Sequence, residues 1–355
     1  MSSPAPAVHW APAAPVVTEY RVGLCAWQDK SMLADGHFYP QKTMTAEDRL
    51  WWYAQFFDNV EVNASFYAPL SADNAVRWVK RTPPGFLFHV KAYALLTGHH
   101  LDAGRLPPEL APMLPAGARP NARGQIDNGA FPAEARAWAL QAFRDPLQVL
   151  GDAGKLGYVL FQMAPWVRYG PEVLDYLAGL PAALPGCTVA VEFRDVSWLP
   201  RHADETLAFL ARHGLTYVSV DAPRTPAMIP STMALTSPVA VLRLHGRNAK
   251  GFMRQLRGEA PSVAEKYGYL YGEDELAEIV ARARGLDGRA RRVYLELNNN
   301  VEDAPAINGG QIKELLGLDT PDRAEVEARW RRRRAEARTA RRAGAAAPDR
   351  PESAC

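Results

Sequence analysis

The chain has 355 residues, 48% of them hydrophobic and 23% charged, with a formal net charge of +2; that length suits one large barrel or two ordinary domains. No apolar run reaches the roughly 18 residues that a membrane-spanning helix needs, so no membrane partner is expected. Cys25, Cys187 and Cys355 are widely spaced and contain no CxxC pair, which argues against a disulfide framework or a thiolate zinc site and fits a reducing cytoplasm.

Residues 1–18 are rich in Pro and Ala but lack a positive segment followed by a continuous apolar core, so they are expected to be a disordered leader and not a secretory signal. Beyond them, short β-branched or aromatic runs recur, most followed by a helical pattern, which is the signature of βαβ units. The predicted strands are 21–26, 60–65, 86–91, 158–163, 188–194, 216–221, 239–245 and 292–297. Eight such strands close a barrel, so residues 19–319 are expected to form one α/β domain, a (β/α)8 barrel of the TIM type. Apolar residues at helical spacing, such as Leu50, Tyr53, Phe56 and Phe57, or Leu276, Ile279 and Val280, would cover its outside. Thr45 before Glu47 and Asp48, and Ser71 before Asp73, supply amino-terminal helix caps. Roughly 65 residues separate the third and fourth strands, and 97–131 reads as a long Gly/Pro-rich loop of functional or mobile character. From Thr320 onward ten Arg face six acidic residues, a local balance of +4 that leaves −2 for the rest. The 320–355 tail is expected to be a solvated Arg-rich extension, and any bulk-charge case for nucleic acid rests on it.

Side chains two apart on a strand share a face. By that rule Glu61 pairs with Asn63, His89 with Lys91, Glu192 with Arg194, Ser219 with Asp221, Arg243 with His245, and Glu296 with Asn298. Polar layers at the carboxyl ends of barrel strands are where this fold places its chemistry. The candidate catalytic residues are therefore Glu61, Lys91, Glu192, Asp221, His245 and Asn298, with Asn63, Tyr67, Gln162, Arg194, Arg243, Arg247, Tyr271 and Asn299 as candidate substrate contacts. The alternative is a buried salt-bridge network that only fills the barrel, although burying ions is costly unless they are well paired. The near-neutral mixture of carboxylates with Lys91, Arg194 and Arg243 argues against a divalent-metal site, and no cofactor is expected. It suits acid–base or hydrolytic chemistry, of hydrolase or lyase type, on a polar or anionic small molecule, with His245 or a tuned carboxylate as base. The 246–272 loop mixes Arg247, Lys250, Arg254, Arg257 and Lys266 with Phe252, Tyr267, Tyr269 and Tyr271. It would bind a phosphorylated ligand or stack on nucleic-acid bases, or else pack as a solvated rim.

Several motifs follow one another in a recognisable order: Val60-Glu61-Val62-Asn63-Ala64-Ser65-Phe66-Tyr67, Arg81-Thr82-Pro83-Pro84-Gly85-Phe86, Ala190-Val191-Glu192-Phe193-Arg194, Val220-Asp221-Ala222-Pro223, and Leu242-Arg243-Leu244-His245-Gly246-Arg247, then Tyr269-Leu270-Tyr271 and Asn298-Asn299. Through these motifs the chain resembles the YecE-like family, domain of unknown function 72, over residues 22–316. The resemblance implies a TIM barrel without an established reaction, and a suggested relation to endonuclease IV-like barrels implies nucleic-acid binding as an alternative. A non-catalytic ligand-binding or scaffold role is the third possibility. Gly23-Leu24-Cys25-Ala26-Trp27 stands where the family usually reads Gly-Thr-Ser-Gly-Trp, and Asn300 where an acidic residue or His often follows the Asn pair.

Overall fold

A computed structural model of the protein describes residues 7–345 except 35, 224, 226–227, 258 and 260–261. Eight parallel strands, β1 (Glu19–Leu24), β2 (Asn59–Val62), β3 (Leu87–Lys91), β4 (Leu156–Gln162), β5 (Val189–Glu192), β6 (Thr216–Asp221), β7 (Val239–Leu244) and β8 (Arg292–Leu297), close into a barrel in chain order. Each β-to-β return is long enough to carry a covering helix, as parallel pairing requires. The helices of ten or more residues before residue 320 are α1 (Ala46–Phe56), α2 (Ala72–Arg81), α3 (Ala133–Asp152), α4 (Pro171–Ala183), α5 (Ala203–Arg212), α6 (Glu273–Arg284) and α7 (Ala304–Leu316). The expected caps are in place, with the Thr45 and Ser71 hydroxyls accepting from the backbone amides of Asp48 and Asn74.

Two separate apolar clusters define the inside and outside of the barrel. Leu87, Tyr158, Leu160, Ala190, Val218, Val241 and Tyr294 pack together within the strand ring, whereas Leu50, Phe57, Leu177, Leu210, Leu276 and Ile279 belong to the larger layer under the helices. Because strand side chains alternate, the inner cluster fixes which neighbours point inward: His89 and Lys91, Gln162, Glu192, Arg243, and Glu296. Glycines make room at two places. A Cβ on Gly157 would lie 2.2 Å from the His89 ring, and one on Gly23 would lie 2.1 Å from the Asn59 amide.

The chain departs from expectation at three places outside the barrel strands. Ala7–Val8, within the expected leader, pairs in parallel with Ala234–Leu235. The 97–131 segment is a packed insertion, with an antiparallel ribbon (Leu101–Asp102 against Gln125–Ile126) and buried Leu101, Leu110 and Ile126. Asn128 donates to the Leu95 carbonyl, in the turn after β3, and to the His99 carbonyl within the insertion. The tail is not a solvated extension: α8 (Arg323–Ala345) seats Val326 and Trp330 against the body, Trp330 being 1% exposed and edge-on to Trp52. Arg333 donates to Glu47 and Asp48 at the start of α1, and Arg323 to the His37 and Phe38 carbonyls. Two apolar residues four apart suffice to dock a helix whose other residues are mostly charged or small, which is too narrow a stripe to stand out in the sequence. Among the described residues no helix is long and apolar enough to cross a membrane.

Candidate functional site at the barrel mouth

The polar interior is built in three levels. At the lowest, His89 lies stacked on Tyr158 and faces the Glu296 carboxyl at 3.2 Å, and Asn59 donates to the same carboxyl oxygen at 2.5 Å. The backbone amide of Tyr158 donates to His89 Nδ1, so the ring proton sits on Nε2, on the side of Glu296 but with no hydrogen-bond partner among the described residues. Burial pushes the Glu296 carboxyl well above the usual carboxylate range, and the Glu61 charge adds to that push. The same burial, helped by Arg292 and Arg21, holds His89 neutral.

The middle level is an ion triad. Arg243, 1% exposed, donates to both oxygens of Glu61 at 3.0 and 2.6 Å and also to Glu192, and it approaches Cys25 Sγ at 3.7 Å. Tyr158 adds a hydroxyl bond to Glu61 at 3.1 Å. Burial alone would raise the Glu192 pKa, but Arg194, Arg243 and His245 outweigh it and hold the carboxyl well below its ordinary value. Cys25 goes the other way, pushed up by burial and by Glu61, and stays a thiol. To this extent the interior is the salt-bridge filling that its residue types allow.

The upper level, facing the carboxyl ends of the strands, is different. The second oxygen of Glu192 accepts from Arg194 at 2.6 Å and from Gln162 at 3.0 Å, and lies 3.3 Å from His245 Nε2. Asn300 donates to the Asn298 carbonyl oxygen, which turns the Asn298 amide towards His245 Nδ1 at 2.8 Å. His245 therefore keeps its single proton on Nε2, towards Glu192, and burial with Arg194 pushes its pKa down to about 3. Both ring nitrogens of His245, which with a tuned carboxylate was one of the two expected bases, are engaged by neighbours.

Lys91 stands apart. Its Nζ donates to Gln162 Oε1 at 2.9 Å and sits 4.4 Å over the Phe66 ring, with no carboxylate oxygen within salt-bridge distance among the described residues. Burial, with Arg243 adding to it against Glu61 and Glu192, brings its pKa down to about 7. Lys91, Gln162, Arg194, Asn63 and Asn298 are only partly buried and form the rim-facing surface of the polar core. Asn63 donates to the Cys25 carbonyl at 2.7 Å, while its own Oδ1 has no partner among the described residues.

Nine of the fourteen expected residues thus converge: Glu61, Lys91, Glu192, His245 and Asn298 with Asn63, Gln162, Arg194 and Arg243. Asp221 does not join them. Val218 belongs to the inner cluster and Tyr217 to the outer one, so β6 is turned by one residue relative to the expected phase and Asp221 faces the helices. There it accepts from Arg247 at 2.8 and 2.7 Å, from Tyr271 at 3.0 Å and from Arg282 at 3.4 Å. Arg247 is also bonded to Glu275 and Glu278 of α6, so Arg247 and Tyr271 serve this outer network and not the mouth. Asn299 is buried between Tyr269 and Asn308 and clamps α7 to the end of β8. Tyr67 is 59% exposed at the rim, beside Phe66. In the 246–272 loop Arg254 is paired with Glu259 and Glu265, and the side chain of Phe252 lies outside the described residues. Tyr158 and Asn59 were not anticipated; counting back along the strand in steps of two, twice from Gln162 and once from Glu61, would have reached both.

Among the described residues no group of three or more His, Cys, Asp or Glu is arranged to hold a metal ion. Arg243 lies between the two carboxylates that would otherwise be available.

A family model described as "Protein of unknown function DUF72" matches residues 21–332, which takes in the first turns of α8. The UPF0759 protein YunF of Bacillus subtilis (strain 168) is 31% identical over 301 residues, covering 84% of this chain and 95% of that protein. Crystal structures of DUF72 family proteins are similar in fold: one from Thermotoga maritima MSB8 at 28% identity and TM-score 0.65, covering 84% of this chain and 99% of that one, and one from Enterococcus faecalis V583 at 22% identity and TM-score 0.63, covering 85% and 99%. The chain therefore belongs to the DUF72 family of TIM-barrel proteins, whose function is unknown.

Proposed function

We propose that the protein is a cytoplasmic enzyme that performs acid–base chemistry, hydrolysis among the options, on a small polar molecule carrying a carboxylate or phosphate. The observation that carries this reading is Lys91: an amine at the end of a barrel strand, outside the ion triad that neutralises the carboxylates beneath it. A group whose pKa lies near the working pH is both a competent base and a competent acid, and about 7 meets that condition for Lys91. Arg194 supplies fixed positive charge for an anionic substituent, and the unpartnered Asn63 Oδ1 is an acceptor for a substrate hydroxyl. His245, Gln162 and Asn298 hold Glu192 and Lys91 in place. The free thiols of Cys25 and Cys187 accord with a reducing compartment.

A thermal-shift screen of small carboxylates and phosphate esters tests the proposal, run on the native chain and on Lys91→Met and Arg194→Gln. Stabilisation by one chemical class, lost in both variants, is expected; shifts that survive both substitutions would contradict it. The second reading, a nucleic-acid-binding barrel, draws on Arg329, Arg331, Arg332 and Arg338, which α8 turns to solvent. Oligonucleotide binding with a steep salt slope, abolished by neutralising those four arginines and untouched by Lys91→Met, would favour it.

A further inference from the structure

We propose that Lys91 acts covalently, its amine condensing with the carbonyl carbon of a small aldehyde or ketone that also bears a carboxylate or phosphate. The inference rests on the reading of the barrel mouth as a small-molecule site and names the substrate class for it.

The geometry around Nζ is that of a nucleophile and not of an ion-pair partner. Both oxygens of Glu61 are taken by Arg243, with Tyr158 on one of them. Both oxygens of Glu192 are taken as well, one by Arg243 and the other by Arg194 and Gln162. No carboxylate is left to hold Lys91 as an ammonium. Its one polar partner is the Gln162 carbonyl oxygen at 2.9 Å, and that orientation is enforced because the Gln162 amide nitrogen already donates to Glu192 at 3.0 Å. An acceptor takes one N–H of a neutral amine and leaves its lone pair unused. The Phe66 ring lies 4.4 Å from Nζ and covers one side of the amine, and Lys91 as a residue is only partly buried. The pKa of about 7 is the expected consequence of the same surroundings.

The step balances with what is present. The Nζ lone pair forms a bond to the carbonyl carbon, the C=O π pair moves to oxygen, and that oxygen gains a proton to give a carbinolamine. Nitrogen then forms the C=N bond as water leaves, so amine plus carbonyl gives imine plus one water with no oxidant or reductant. The Arg194 guanidinium, 18% exposed, is placed to hold the anionic substituent.

Borohydride trapping tests this on the full chain. Pyruvate, glyoxylate, glyceraldehyde 3-phosphate and dihydroxyacetone phosphate are each added with sodium cyanoborohydride, and the site of the secondary amine is read by peptide mass mapping. The expected result is one adduct per chain with at least one probe, on the Lys91 peptide, at least tenfold faster than on the exposed lysines Lys42 and Lys80. A folded Lys91→Arg variant should lose it, but the mapping on the native chain stands without any variant. Adducts spread evenly over the surface lysines would overturn the proposal. So would the absence of any adduct. If the same probes then still gave a Lys91-dependent thermal shift, Lys91 would remain as a non-covalent base and only the imine would fall; neither adduct nor shift would overturn both readings.

Discussion

Replacing Arg243 by Met should destabilise the protein by about 3–5 kcal/mol at pH 7, the range for removing one partner of a buried, hydrogen-bonded ion group. Arg243 and its two carboxylate partners are all 1% exposed or less, and water cannot take over the lost bonds without opening the barrel. The two carboxylates are not equally affected. Glu192 keeps Arg194 and Gln162, whereas Glu61 keeps only the Tyr158 hydroxyl, so Glu61 becomes the uncompensated buried charge. That asymmetry sets the pH dependence. In the native chain the depressed pKa of Glu192 contributes stability that is present above its unfolded value of 4.5 and lost as pH falls through the folded pKa. In the variant Glu61 is a buried carboxylate without its cation, a form that burial disfavours against the neutral acid, so the penalty grows as pH rises and is relieved as pH falls. Urea unfolding of both proteins between pH 5 and 8 should therefore show a deficit that is largest at pH 8 and smaller at pH 5. Adding Glu61→Gln to Arg243→Met should recover part of it. A deficit under about 1 kcal/mol, or one that does not change with pH, would refute the triad as described.

Three further outcomes follow from the geometry. Trp330→Ala should cost about 3–5 kcal/mol, and truncation after Asp319 at least as much, because both empty the seat of α8 on α1; urea midpoints measure this, with exposed Arg331→Ala as the near-neutral control. Lys91→Met should stabilise the fold by ~2–3 kcal/mol at pH 6 and progressively less towards pH 10, since a lysine whose folded pKa is lowered from 10.5 to about 7 carries a penalty fully present below 7 and relieved as pH rises to the unfolded value. Glu296→Gln should cost less than about 1 kcal/mol at pH 7, because the native carboxyl is already neutral, and the variant should gain on the native protein as pH rises; a loss as large as that of Arg243→Met would show Glu296 to be charged.

The barrel was legible because eight β-branched or aromatic runs, most followed by a helical pattern, admit few other closures, and the predicted strands overlap the observed ones in every case. The inward face was legible wherever the two-residue period could be anchored, as at Glu61, Glu192 and Arg243. It failed on β6. Tyr217, Val218, Ser219, Val220 and Asp221 alternate polar and apolar in a way that suits either phase, and the choice is made by Arg247 and Arg282, which reach Asp221 from outside the ring. The roles within the site were less legible than its membership. His245 reads as a base from its residue type, but its neutral state comes from burial and from Arg194, contributed by a strand distant in sequence, against the pull of Glu192. The tail was misjudged for a related reason: Trp330 gains its partner Trp52 only when α8 folds back across the barrel.

The protonation of Lys91 is the point on which the account turns. Its side-chain amine can be followed by carbon NMR of selectively labelled lysine, with the Lys91 resonance assigned by its loss in Lys91→Arg, while pH is raised from 5 to 11. A midpoint near 7, well separated from surface lysines near 10.5, is the predicted result. A midpoint at or above 10 would show Lys91 to be an ordinary cation and would contradict both the acid–base reading and the imine.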